Sequence, residues 1–261
     1  MNGFLGSVIA SALAGMGGTG FGAAAAIAIV GLFKKPNIRS GIDNIIKLAM
    51  SFSGGLMLSI IFFDLMPESF EYASVAAGLV SMITGCITIP VFELAARLMG
   101  LPFAMEESIA GGGKKPVGYG RTAILVGVGI ALHNFPEGLA IGSGFAGDFG
   151  IVLAAIIALH DIPEGIAMAV PLIACGRKPL DVIAASVIAG IPTVLGGIAG
   201  WCFAGISEAV IGACLGYAGG AMLYVVMGQL LPICYRDDGP KGIVTSILAG
   251  MLAGLLIIHA F

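Results

Sequence analysis

Leu132-His133-Asn134-Phe135-Pro136-Glu137-Gly138 and Leu159-His160-Asp161-Ile162-Pro163-Glu164-Gly165 are one pattern written twice. Each copy sits in an apolar stretch and gathers a histidine, an amide or carboxylate, and a glutamate around a proline. Ionisable side chains are costly inside a bilayer and mark function where they occur. Two matched copies therefore point to a membrane-embedded bundle with a polar centre. The simplest occupant of that centre is a cation that takes nitrogen and oxygen ligands where water is scarce.

The surrounding chain fits this reading. Of 261 residues, 58% are hydrophobic and only 10% are charged, with a mean hydropathy of +1.06. Soluble domains carry about 25% charged residues. The expectation is an all-α integral membrane protein with a single transmembrane domain, residues 1–261. Eight apolar stretches fall at about 4–32, 45–65, 72–99, 121–145, 149–174, 181–204, 208–233 and 242–260. A span needs about 20 residues at 1.5 Å each, so each stretch is long enough. The first is too long for a signal-peptide core.

Basic residues orient the bundle. Lys34, Lys35, Arg39 and Lys47 lie in or beside the first loop, and Arg97, Lys114, Lys115 and Arg121 in or beside the third. Arg177 and Lys178 belong to the fifth loop, Arg236 and Lys241 to the seventh. These account for all 12 basic residues. By the positive-inside rule the odd loops are cytoplasmic and both termini face outward. The net charge of −3 gives no footing for a nucleic-acid partner. The 5 cysteines have no metal-type spacing and read as small packing residues.

Small residues mark helix contacts. Ala10, Ala14, Gly18, Gly22 and Ala26 form one stripe, and Gly212, Gly216 and Gly220 another. Such stripes let helices approach closely in lipid. The long third loop, about 100–120, contains Gly111-Gly112-Gly113-Lys114-Lys115-Pro116 and reads as a flexible linker. The repeated motif lies on consecutive, antiparallel helices four and five. That implies a pseudo-twofold axis in the membrane plane and a 3+2+3 inverted-repeat arrangement, a transporter signature.

On a helix, residues i and i+4 share a face, so His133 stacks with Glu137 and His160 with Glu164. Pro136 and Pro163 leave the Leu132 and Leu159 carbonyls without their helical donors and kink each helix beside its histidine. Imidazole with carboxylate suits Zn²⁺, Fe²⁺, Mn²⁺, Co²⁺ or Cd²⁺. Asn134 and Asp161 project to one side and would serve a neighbouring position. The carboxylates of Glu137, Asp161 and Glu164 repel one another, and a divalent cation offsets that repulsion. Asp64, with Glu68 and Glu71, lies near the outer end of helix two. It is either an ordinary polar helix end or an acidic mouth that concentrates cations. His259 reads as interfacial, and Glu93 and Glu208 as solvated helix ends.

With His133-Asn134-x-Pro136-Glu137-Gly138 and His160-Asp161-x-Pro163-Glu164-Gly165 on helices four and five of eight, the chain resembles the ZIP (Zrt-, Irt-like) family of divalent-metal transporters. The resemblance extends to the outward termini, the long third loop and Met66-Pro67-Glu68-Ser69. It implies that His133, Glu137, His160 and Glu164 hold a primary metal, and that Asn134, Asp161 and the two glutamates form an adjacent second site. Asp64 falls where the family often has a polar residue leading into the path. It further implies movement of metal into the cytoplasm across the plasma (inner) membrane without ATP, no bound cofactor, and a homodimer in many members.

Two positions depart from the family pattern. In Ala189-Gly190-Ile191-Pro192-Thr193-Val194-Leu195-Gly196, Thr193 stands where relatives have a bridging glutamate. Gly228-Gln229-Leu230-Leu231-Pro232 replaces an acidic pair of some relatives. The third loop also lacks a histidine cluster. These departures point to a weaker second metal. The competing readings are an intramembrane metal-dependent hydrolase and a metal exporter. Against the hydrolase, no His-Glu-x-x-His helix is present and prolines occupy the ligand turns.

Overall fold

Backbone N–H and C=O groups in hydrocarbon must satisfy each other, so apolar runs of this length fold as helices. The computed structural model describes residues 3–32, 39–99, 119–145, 150–202, 207–235 and 241–260, and every regular element among them is helical. Residues 100–118 of the third loop, with Lys114 and Lys115, lie outside the described residues, as do Lys34, Lys35 and Arg236.

Eight helical rods result. α1 covers 3–32 and contains a π-helical turn, Leu13–Gly17, between Gly3–Ala12 and Gly18–Leu32. α2 covers 39–72, with the π-helical turn Ile61–Leu65 between Arg39–Ile60 and Met66–Tyr72. α3 is Val75–Leu98, α4 is Tyr119–Gly144 and α5 is Gly150–Ala174. α6 covers 179–202 and breaks at Gly190 into Pro179–Ala189 and Ile191–Cys202. α7 covers 208–234, with the π-helical turn Val225–Leu230, and α8 is Ile243–Ala260.

By length and composition, 7 helices among the described residues can cross a membrane, and the apolar part of α8, Ile243–His259, is shorter. At 1.5 Å per residue the 18 residues of α8 reach about 27 Å, just under a typical hydrocarbon core. The expected stretches match these helices within a few residues, except in α2. There the helix continues through polar residues at both ends, because apolarity marks the lipid-facing part and not the end of the helix.

The helices pair as α1 on α5, α4 on α6, α2 on α8 and α3 on α7, with α4 beside α5 at the centre. Glycines make these pairings. A Cβ on Gly22 would strike the Ile162 carbonyl and Gly165, and one on Gly196 would strike the Phe135 carbonyl and Gly138. Gly165 closes on the Thr19 carbonyl as Gly138 closes on that of Thr193. In the outer pairs, Gly250 meets Phe52 and Leu56 while Gly85 meets Tyr217 and Ala221. Gly55 meets Ile247 while Gly220 meets Met82. Each contact has a counterpart, at an offset that stays the same within each pair of equivalent helices. α1–α3 thus correspond to α6–α8, and α4 to α5, which is the 3+2+3 repeat.

The small stripe of α7 falls on this plan. Gly212 lies on α2 at Ala73 and Ser69, Gly216 faces Ser69 and Gly78, and Gly220 faces α3 at Met82. Side-chain hydrogen bonds add to the packing within two sets of helices. In α1, α4, α5 and α6, Ser7 donates to the Gly197 carbonyl at 3.0 Å and Thr19 to that of Ser186 at 2.9 Å. In α2, α3, α7 and α8, Ser69 donates to the Gly212 carbonyl at 2.7 Å and Ser246 to that of Leu48 at 2.8 Å.

Candidate metal centre

α4 and α5 run unbroken through Pro136 and Pro163 and bring the two motifs together. His133, Asn134, Glu137, Asp161 and Glu164 are all fully buried. One ligand atom each from His133, Glu137 and Glu164 lies within 4.8 Å of the other two. The short contact crosses between the helices, with His133 Nε2 2.8 Å from Glu164 Oε1. The i,i+4 stacking expected within each motif is thus joined by a cross-helix pair. Asp161 stands beside Glu164 and feels the charge of Glu137.

This donor set fits a divalent cation. A tetrahedral zinc with bonds of 2.0–2.2 Å holds its ligands roughly 3.3 Å apart. The three ligand atoms, within 4.8 Å of one another, lie close to that spacing. Charge gives the stronger argument. Three buried carboxylates against one imidazole are an electrostatic debt in a dry interior, and a dication held by direct ligation cancels most of it.

Asn134 and Asp161 face α6 and α1, two helices that meet where Gly190 packs on Gly15. Asn134 Nδ2 donates to the Ala189 carbonyl at 3.1 Å, where the first half of α6 ends. That bond orients the amide so that Oδ1, buried and without a hydrogen-bond partner among the described residues, is the atom left for a cation. Asp161 lies toward α1, its Cβ in the space a side chain on Gly18 would need. The backbone of His160 continues α5, while its side chain lies outside the described set. Asp64 sits in the π-helical turn of α2, half-buried, and is not one of the three clustered groups.

Thr193 is fully buried in α6, its carbonyl against Gly138 and its side chain against Gly15 of α1. It brings no charge to the centre. His259 is exposed near the end of α8, with Nδ1 2.9 Å from the Leu255 carbonyl, as an interfacial residue would be. Glu208 is exposed. Glu93 differs from its expected solvated state. It is half-buried and accepts from Gln229 Nε2 at 2.6 Å and from the Tyr224 hydroxyl at 3.4 Å. Its partners come from α7, and single-sequence periodicity carries no record of that pairing.

Comparison with known proteins identifies the family. Residues 105–261 match the family described as ZIP Zinc transporter. Zinc transporter ZupT of Enterobacter sp. (strain 638) is 31% identical over 231 residues, covering 86% of this chain and 87% of that protein. Zinc transporter ZupT of Escherichia fergusonii is 31% identical over 217 residues, 80% of this chain and 82% of its own. That of Salmonella newport is 31% identical over 225 residues, 83% and 86%. Family members are transporters, which sets aside the hydrolase reading. With its eight-helix repeat and paired histidine–glutamate motifs, this chain belongs to the ZIP family of metal transporters.

Proposed function

We propose that this protein carries zinc into the cytoplasm by alternating access, with His133, Glu137, His160 and Glu164 as the primary ligands. The observation that carries the reading is the buried cross-helix group of His133, Glu137 and Glu164. Such a group is costly to a fold with no cation to hold, and inexpensive when a dication passes through it. Asn134 and Asp161 form the flank of the site, and Asp64 an outer polar approach to it. The names of the relatives favour zinc, and the same donors accept Fe²⁺, Mn²⁺, Co²⁺ and Cd²⁺. The distribution of basic residues supports an inner-membrane orientation with both termini outside the cytoplasm.

The test is flux in proteoliposomes of known orientation, with Zn²⁺, Fe²⁺, Mn²⁺, Cd²⁺ and Mg²⁺ offered in turn. Zn²⁺ should move and Mg²⁺ should not, since Mg²⁺ prefers an all-oxygen, partly hydrated shell. Movement from the cytoplasmic face alone would establish export instead. Metal binding to imidazole and carboxylate displaces protons. Apparent zinc affinity should therefore fall as pH drops from about 7 to 5, through the range where imidazole titrates. An affinity flat with pH would exclude the histidines as ligands.

Thr193 sets the expected stoichiometry. A carboxylate there would offset the repulsion between two adjacent cations, whereas a hydroxyl brings no charge. One zinc per protomer should bind at low micromolar metal, with a second only at much higher concentration. Native mass spectrometry counts them. Two equally occupied sites at stoichiometric metal would contradict this role for Thr193.

A further inference from the structure

The repeat is symmetric in its backbone contacts and asymmetric in one place beside the metal centre. Ser53 of α2, almost fully buried, donates its hydroxyl to the carbonyl of Pro163, the residue before Glu164, at 2.5 Å. The hydrogen bonds of Ser7, Thr19 and Asn134 stay within α1, α4, α5 and α6. Those of Ser69 and Ser246 stay within α2, α3, α7 and α8. The Ser53 bond crosses from one set to the other.

Its mirror image can be located by name. Gly250 meets Phe52 as Gly85 meets Tyr217, so the residues that follow, Ser53 and Ala218, are equivalent. Pro163 likewise corresponds to Pro136. At the mirror position Ala218, fully buried, has no hydroxyl to donate. Pro136 lines an open groove of about 410 Å³ walled by Ser81 and Thr84 of α3 and by Cys214 and Tyr217 of α7. One motif proline is tied across the boundary between the sets, and the other borders an open groove.

In a transporter built from inverted repeats, one bundle moves as a rigid body against the other. Where the two equivalent interfaces between the sets, α2 with α5 and α7 with α4, are packed differently, exchange of those packings generates the opposite-facing state. We propose that the Ser53–Pro163 hydrogen bond is a one-sided latch on the metal-bearing helices. It closes in the state seen here. In the opposite state it opens, and the Pro136 carbonyl closes onto α7 at Ala218. Ser53 acts through the Pro163 carbonyl and is a positioning residue, not a ligand. The proposal rests on the alternating-access reading above.

Spin labels at Leu98 of α3 and Leu180 of α6, 80% and 77% exposed, report the separation of the two sets. The labels are carried in a background without the native cysteines, in nanodiscs without metal. Removing one net hydrogen bond shifts a two-state ratio about fivefold. Ser53→Ala should therefore move the distance distribution about fivefold away from the state described here. Ala218→Ser should move it the same way, because it supplies a hydroxyl for the Pro136 carbonyl only in the opposite state. A general packing defect would not reproduce that second shift, and Ala218→Ser keeps the test alive if Ser53→Ala folds poorly. Unchanged ratios in both variants, with zinc flux intact in the unaltered protein, would overturn the latch alone. Absence of flux in the unaltered protein would overturn the transport reading and the latch with it.

Discussion

Replacing Glu137 or Glu164 by alanine should abolish zinc flux. Each change removes a ligand atom from the group of His133, Glu137 and Glu164, and also a negative charge from a fully buried centre. Loss of an outer-shell partner alone costs roughly 10–100-fold in metal affinity, and loss of a charged ligand costs more. The two effects separate in the glutamine variants. A glutamine at either position keeps the shape and one oxygen but loses the charge, so Glu137→Gln and Glu164→Gln should recover folding without recovering flux. Glu164→Ala also strips His133 of its 2.8 Å partner. His160→Ala should lose less than either, because a bound imidazole is neutral. Radiozinc uptake at matched expression measures all of these. Full uptake in both alanine variants would remove the glutamates from the site.

Gly138→Ala and Gly165→Ala should be nearly as damaging, for a mechanical reason. The new methyl at 138 would overlap the Thr193 carbonyl, and that at 165 the Thr19 carbonyl. Backbone cannot rotate away as a side chain can, so α4 must part from α6, or α5 from α1. Each glycine directly follows a proposed metal-ligating glutamate, and the displacement is delivered to the site. Overpacking of this kind costs about 1–3 kcal/mol or more. Gly31→Ala is the control, since nothing lies within 4 Å of a Cβ at that position. Thermal unfolding and zinc binding in detergent should fall for 138 and 165 and stay level for 31. Wild-type behaviour at 138 and 165 would mean that the close helix pairs are looser than their glycines imply.

Much of this centre is legible in the chain because its chemistry conflicts with its surroundings. A glutamate one turn after a histidine, in a stretch otherwise fit for lipid, identifies itself. The repetition of the motif on consecutive helices also announces the pseudo-twofold. What one sequence does not carry is the register between helices. The contact of His133 with Glu164 and the bond from Asn134 to Ala189 depend on how far α5 and α6 slide along α4. That distance is set by glycine-to-carbonyl contacts such as Gly138 with Thr193 and Gly165 with Thr19. The glycine stripes of α1 and α7 show that close approach occurs, without naming the partner.

Local departures from the α-helix are partly hidden. The π-helical turns at Leu13–Gly17, Ile61–Leu65 and Val225–Leu230 contain no proline. Pro67 and Pro232 lie just beyond two of them and leave the Phe63 and Gly228 carbonyls without their i+4 donors, while Leu13–Gly17 has no such proline. The break of α6 at Gly190 also has a local cause. Pro192 follows two residues later and biases the chain before it away from the helix. A reading that spans 181–204 as one apolar run passes over it. Glu93 shows the same limit from another side. Its place near a helix end suggests solvent, and only the fold brings Gln229 and Tyr224 to it.

The most direct measurement is anomalous scattering at the zinc edge from crystals grown with stoichiometric zinc. The expected result is one strong peak between α4 and α5, about 2.0–2.2 Å from His133 Nε2 and from carboxylate oxygens of Glu137 and Glu164. Strong zinc peaks elsewhere, with His133 still hydrogen-bonded to Glu164 and no metal between the helices, would contradict it.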